Sequence, residues 1–230
     1  TAVCCLSSVN LEHFDKWSKN EQFIDDLITM LDNVIQHFID NAIDTTQLGE
    51  YNANFKRFKK YIKKGKKGFT RAAYSAYRER SLGLGAMGFH AYLQQNNIPF
   101  EGIFASGFNH KVFQHIKVRA TEASSRLAEE RGEAPDINGS GLRNAHLLAV
   151  APNASSSIIC GGTSPSIEPY RANVYTHKTL SGSYQVKNKY LEKLLKSKGI
   201  KGKELESLWK DIAGHDGSVQ HLDILSDEEK

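Results

Sequence analysis

The chain has 230 residues, 40% of them apolar and 24% charged, proportions that exclude a disordered tail, a collagen-like repeat or a cysteine-framework miniprotein. The formal net charge of +4 is local: Lys56, Arg57, Lys59, Lys60, Lys63, Lys64, Lys66 and Lys67 supply eight of the 30 basic residues in one tract without an acid, leaving 22 against 26 acids elsewhere. Whole-molecule attraction to nucleic acid or a membrane surface is therefore not implied, although that tract offers one anion contact.

In chain order, T-A-V-C-C-L at the start reads as an apolar strand. Phe23, Leu27, Leu31, Val34, Ile35, Phe38 and Ile39 then form a helical stripe over 21–43, with Ser18 and Glu21 as an S-x-x-E capping box before it. The spacing of Phe55, Phe58, Tyr61 and Ile62 predicts a further helix over 45–67 with a solvated basic face. A helical stretch at 71–80 leads into S-L-G-L-G-A-M-G-F-H-A-Y-L-Q-Q-N-N, a strand running into a helix that stops before Pro99. Ser106 is placed to cap the next helix, which carries Phe108, Val112, Ile116, Ala120, Ala123 and Leu127 on one face and stops at Gly132. A-H-L-L-A-V-A-P at 145–152 reads as a buried strand, followed by the hydroxyl-rich N-A-S-S-S-I-I and the turn C-G-G-T-S-P-S-I-E-P. Helices are predicted over 185–198, ending at Gly199, and over 204–213. Nothing repeats and no Pro/Ser/Gly linker splits the chain, so one α/β domain with parallel strands is expected.

Chemistry concentrates at few places. Gly83, Gly85 and Gly88 match G-x-G-x-x-G, but a dinucleotide fingerprint follows a buried strand and has a ribose-binding acid about 20 residues on. Here Y-R-E-R-S precedes it and no Asp appears before Asp136, so close backbone packing is the expected role. Pro152, Asn153, Ala154, Ser155 and Ser156 end a strand and open a helix, whose unpaired N–H groups, with the hydroxyls of Ser155, Ser156 and Ser157, suit a phosphate; ordinary N-capping by Asn153 or Ser155 would use the same residues. Cys4 and Cys5 lie in a strand-like context where free cysteine usually packs as a small hydrophobe. With Cys160 they make an odd number, and an adjacent pair is poorly placed for a mutual disulfide, so a reducing, cytoplasmic setting is expected. The nine histidines form no H-x-x-x-H or H-E-x-x-H pattern, and no C-x-x-C occurs, so no metal site is expected. No apolar run reaches 18 residues and no signal-peptide pattern opens the chain, so no membrane association is expected.

Taken in order, A-V-C-C-L-S-S-V-N-L at 2–11, R-E-R-S-L-G-L-G-A-M-G-F-H at 78–90, L-A-E-E-R-G-E at 127–133, A-P-N-A-S-S-S-I-I at 151–159 and G-T-S-P-S-I-E-P at 162–169 resemble the large catalytic subunit of class I ribonucleotide reductase. The resemblance implies a ten-stranded α/β barrel. In it a thiyl radical abstracts the ribose 3′ hydrogen and two cysteines reduce the 2′ carbon. Matching C-x-L-S-x-x-N-L puts Cys4, and not Cys5, at the second reducing cysteine, and 152–156 at the phosphate cradle for a ribonucleoside diphosphate.

The family's N-x-C-x-E radical loop and first reducing cysteine belong upstream, and its tyrosine pair and C-terminal redox cysteines downstream. The chain, which begins without Met, is thus expected to be the C-terminal portion of the barrel, 1–230, inactive alone. The resemblance further implies that the chain itself binds no cofactor. Its expected partners are the rest of the large subunit in a homodimer, a di-metal small subunit supplying the radical, and a thioredoxin or glutaredoxin as dithiol reductant. The motifs resemble the di-metal type most, with the cobalamin class left open. The basic tract belongs to none of these motifs. A non-enzymatic phosphate- or RNA-binding module, with Phe55, Phe58 and Tyr61 as stacking groups, is the alternative it suggests.

Overall fold

The computed structural model describes residues 3–44, 55–180 and 182–230. Strands β1 (Cys4–Asn10) and β2 (Ser81–Met87) pair in parallel, Cys4 opposite Ser81 and Asn10 opposite Met87. Parallel neighbours need a long crossover, and this one carries α1 (Phe14–Trp17), α2 (Gln22–Ala42), α3 (Phe55–Phe58) and α4 (Thr70–Glu79). After α5 (Phe89–Gln95) and α6 (Ile103–Arg131), the chain returns along the far side of β2. There the N–H groups of Leu82 and Leu84 donate to the carbonyls of His146 (2.8 Å) and Leu147 (2.9 Å), and Ala149 N–H donates to Leu84 (3.2 Å).

The period of two in the strands separates the two faces of this layer. Val9, Leu82, Leu84 and Ala86 point to the helices, where α2 supplies Ile24, Ile28, Leu31, Ile35 and Ile39 and α6 supplies Val112, Ile116, Ala120, Ala123 and Leu127. Each fully buried Leu or Ile contributes about 1.5–3 kcal/mol, so this seam fixes the sheet on its helices. Two glycines face the other way. A Cβ on Gly83 would stand 2.4 Å from Leu6 Cδ2, and one on Gly85 2.3 Å from the Ala149 carbonyl oxygen. G-x-G therefore serves the approach of neighbouring segments.

The chain ends with α7 (Ala154–Ile159), the antiparallel hairpin of β3 (Val174–Thr179) and β4 (Gly182–Lys187), α8 (Lys189–Ser197) and α9 (Gly202–Gly214). These last elements gather a second apolar cluster around Leu191, Leu195, Trp209, Ile212, Val219 and Leu222.

Five local expectations are corrected. Ser18 closes α1, and it is Asn20 whose side chain accepts the Gln22 N–H at 3.1 Å, so no Ser18–Glu21 capping box forms. Residues 45–54 lie outside the described residues. The remainder of the expected basic helix is a single turn, α3, and a 3-10 turn, because Ile62 leaves it to bridge Ile43. Helix α6 starts at Ile103 after extended Gly102, which leaves Ser106 inside it. The run 145–152 pairs irregularly with β2, bridging Leu148 to Leu84, and is half-buried rather than a full interior strand. Residues 185–187 belong to β4, and helix begins only after Asn188, whose side chain accepts the Tyr190 N–H.

Candidate active site

On β1, Cys4, Leu6, Ser8 and Asn10 share the face turned away from the helices, while Cys5 and Val9 face the core. Cys4 is exposed, and Leu6 is 55% exposed. Cys5 is half-buried, and its thiol pKa is raised by that burial and by neighbouring Cys4, which disfavours the reactive thiolate. The Cys4 sulfur stands 3.7 Å from where a Gly83 side chain would begin, so the glycine-paved side of β2 forms the floor beside it.

At the other end of the same face, buried Asn153 fastens the turn before α7 to the strands. Its side-chain amide donates to Ser8 Oγ (3.0 Å), the Ala151 carbonyl (2.8 Å), the Ala86 carbonyl (3.3 Å) and Ser166 Oγ (3.4 Å), and Ser166 Oγ donates to the Ala151 carbonyl (2.6 Å). With its side chain turned inward, Asn153 does not cap α7. Ala154, Ser155 and Ser156 are exposed, and their N–H groups precede the first intrahelical bond, from Ser157 N–H to the Asn153 carbonyl. Ser157 is buried, and its hydroxyl donates back to the Ala154 carbonyl (3.1 Å), so it is not among the outward donors.

The start of α5 is the contrasting case. Gly88 is left-handed (φ +81°), and a Cβ there would lie 2.4 Å from Asn10 Oδ1 and 2.7 Å from Thr163 Oγ1. Its N–H donates to the Ser164 carbonyl (2.7 Å), and the Ala91 N–H donates to Ser164 Oγ (3.0 Å). The T-S-P-S loop thus takes the donors that a dinucleotide pyrophosphate would need, which accounts for G-x-G-x-x-G without a cofactor. Nearby, burial alone would raise the Glu12 pKa, but the Lys189 ammonium at 2.7 Å, together with the Tyr190 and Thr163 hydroxyls, outweighs it and lowers the pKa below its ordinary value of 4.5.

His90, in the first turn of α5, accepts the Tyr170 N–H on Nδ1 at 3.1 Å, and burial lowers its pKa from 6.5 to about 4. The unfolded chain therefore takes up a proton that the folded one refuses. The stability tied to neutral His90 is complete above pH 6.5 and is lost as pH falls toward 4. Denaturant midpoints should drop between pH 7 and pH 5, and His90→Gln, which retains an acceptor, should shrink that drop. An equal drop in the variant would contradict the assignment.

The comparisons with known proteins agree in direction. The ribonucleotide reductase barrel-domain family matches residues 1–140 and 134–230, which together span the chain. This chain belongs to the ribonucleotide reductase family. It is 46% identical to the ribonucleoside-diphosphate reductase large subunit of Invertebrate iridescent virus 3, covering all of this chain and 33% of that protein. It is equally similar, at 46%, to a putative large subunit from Frog virus 3 (isolate Goorha), of which it covers 36%. The structure resembles the Actinobacillus ureae class Id ribonucleotide reductase alpha subunit with a TM-score of 0.78 at 38% identity, over 99% of this chain and 37% of that one. The chain thus spans about a third of the length of these relatives. The α/β barrel expectation stands, and the parallel layer is a piece of the reductase barrel.

Within this reductase piece, Asn153 of the 152–156 turn is bonded to Ser8 on the face of β1 that carries Cys4, while Cys5 faces the core. Ser8, Asn10, Thr163 and Ser166, which tie that face together, were missed as a group. Their signal was present as S-x-N within S-S-V-N and as T-S-P-S. The RNA-binding alternative loses one of its stacking groups, since Phe58 is fully buried against Tyr74 and Tyr77, and the half-buried Phe55 ring packs on Tyr74. No metal site was expected, yet among the described residues Asp211, His215 and His221 gather, far in sequence from the reductase motifs. No helix among the described residues is long and apolar enough to cross a membrane.

Proposed function

We propose that this chain forms one wall of the site where a ribonucleoside diphosphate is reduced to the deoxyribonucleoside diphosphate. Cys4 is one of two thiols that together supply two electrons and two protons. The 2′ hydroxyl leaves as water, a hydrogen replaces it on the 2′ carbon, and the thiols end as a disulfide. The N–H groups of Ala154, Ser155 and Ser156 and the hydroxyls of Ser155 and Ser156 hold the phosphates, with Pro152 and Asn153 shaping the turn. The observation that carries this reading is the common face of β1. Asn153 is bonded to Ser8, four residues from Cys4, so cradle and thiol are separated by roughly 13 Å along the strand. That span suits a nucleotide laid with its phosphates at one end and its ribose at the other.

In this reading residues 1–230 are the C-terminal portion of the barrel, and the rest of the large subunit brings the radical cysteine and the other reducing thiol. A separate di-metal small subunit supplies the radical, a thioredoxin or glutaredoxin restores the dithiol, and the complete subunit is a homodimer. That the structural relative is a class Id reductase supports the di-metal type over the cobalamin class.

The cradle is testable by Ser155→Ala with Ser156→Ala in the assembled enzyme. Each lost hydroxyl contact costs about 0.5–1.5 kcal/mol, and up to about 3 where a phosphate charge strengthens it. Substrate affinity should fall by about ten- to a thousandfold at 1.4 kcal/mol per tenfold. Unchanged affinity would remove the serines from the cradle.

A further inference from the structure

We propose that Asp211, His215 and His221 form a binding site for one divalent transition-metal ion of the zinc type, separate from the reductase face. Asp211 and His215 are four residues apart at the end of α9 and so lie one turn above the other on the same helix face. The turn that follows brings His221 back to them. Gly217 N–H donates to the Ile212 carbonyl (2.9 Å), Ser218 N–H to His215 (2.9 Å) and Leu222 N–H to Val219 (3.0 Å), while Val219 and Leu222 anchor the segment in the second apolar cluster. The approach of the two histidines is therefore set by backbone and core, although all three side chains are open to solvent.

Each residue offers one ligand atom, and the three atoms lie within 4.8 Å of one another. His221 Nε2 is 2.8 Å from Asp211 Oδ2, and His215 Nδ1 is 3.5 Å from Asp211 Oδ1. Bonds of 2.0–2.1 Å in a tetrahedral zinc site place neighbouring ligand atoms about 3.3 Å apart; to close the shell the two imidazoles turn out of their stacked arrangement, and His215 gives up the contact of its Nδ1 with the Asp211 carbonyl (2.9 Å) or presents Nε2. The imidazole rings stack with centroids 3.7 Å apart and planes inclined by 21°.

Two nitrogens and one carboxylate suit zinc and its neighbours. An all-oxygen set would be needed for calcium or magnesium, and a thiolate-rich one for softer ions. Three protein ligands leave one position for water. Bound metal would cross-link the end of α9 to the 215–222 turn and stabilise the second cluster by mass action.

The test uses the 230-residue chain titrated with Zn²⁺ against a chromophoric chelator, followed by thermal unfolding with and without zinc. One equivalent should bind and raise the unfolding temperature. His215→Ala and His221→Ala should each weaken binding at least about tenfold, since even outer-shell partners of metal ligands are worth 10–100-fold, and should abolish the thermal shift. Exposed His37, outside the cluster, serves as control, and His37→Ala should leave both readouts unchanged. The variants' unfolding without zinc checks that they are folded. No binding by the unaltered chain below about 1 mM, or binding by the His215→Ala/His221→Ala double variant within twofold of the original, would overturn the proposal.

Discussion

In the assembled enzyme, Cys4→Ser is expected to abolish reduction driven by a dithiol, while Cys5→Ser retains it. A hydroxyl cannot supply the electron that closes a disulfide, so no other group on this face substitutes for the Cys4 sulfur. Cys5 is one residue away, but strand alternation points it into the core, where burial raises its pKa. Turnover with thioredoxin or glutaredoxin as reductant, measured for both variants beside the unaltered enzyme, decides between them. Loss with Cys5→Ser and retention with Cys4→Ser would place the reducing thiol one residue later and on the wrong face.

Asp32→Ala is expected to destabilise the fold by about 3–5 kcal/mol, the usual cost of leaving buried partner charges uncompensated. Asp32 is fully buried on α2. Its Oδ1 accepts from Arg80 Nε (3.0 Å), Arg80 Nη2 (2.9 Å) and Asn144 Nδ2 (3.1 Å), and its Oδ2 accepts from Arg131 (3.1 Å) and Arg143 (3.4 Å). One carboxylate thus ties α2 to the end of α4, the end of α6 and the segment entering 145–149. Without it three guanidinium groups face one another with little compensation. Burial alone would raise the Asp32 pKa, but the charges of Arg80 and Arg143 outweigh it and hold the pKa below its ordinary value of 3.8. Its stabilisation is therefore present above about pH 4 and is lost as pH falls through the lowered value. Urea unfolding at pH 7 checks the magnitude, and a change under about 1 kcal/mol would show that the arginines find other partners.

The elements that carry the reductase face were legible where a single periodicity dominated. The stripe of α6 and the run S-L-G-L-G-A-M were read correctly, and the glycine contacts explain why that run tolerates two residues of low strand propensity, whereas the α2 stripe was set partly off the core: Val34 is 50% exposed, and Ile24 and Ile28, which it left out, are buried. Where two signals overlapped, the reading slipped. Val186 and Leu191 sit at a spacing that a helix shares with a strand followed by a helix, so β4 merged into α8. Its partner β3 carries little apolar patterning because the hairpin is largely exposed. The start of α6 was misplaced because Ile103 and Phe104, its first residues, are 83% and 74% exposed and break the stripe. At the site, Cys4 and the 152–156 turn were named from motifs, but the contact joining them spans 145 residues, Ser8 to Asn153, and no local spacing reports it. The same holds for His221, whose return to Asp211 depends on the turn after α9.

In the proposed function, β1 and the start of α7 are two ends of one substrate site. The most direct measurement is a structure of the assembled enzyme with a ribonucleoside diphosphate bound. Phosphate oxygens are expected at ~2.7 to 3.2 Å from the N–H groups of Ala154 to Ser156 and the Ser155 or Ser156 hydroxyl, with the ribose 2′ carbon turned toward Cys4. A diphosphate more than ~5 Å from every nitrogen and hydroxyl of 153–157, beyond any hydrogen bond, would contradict it.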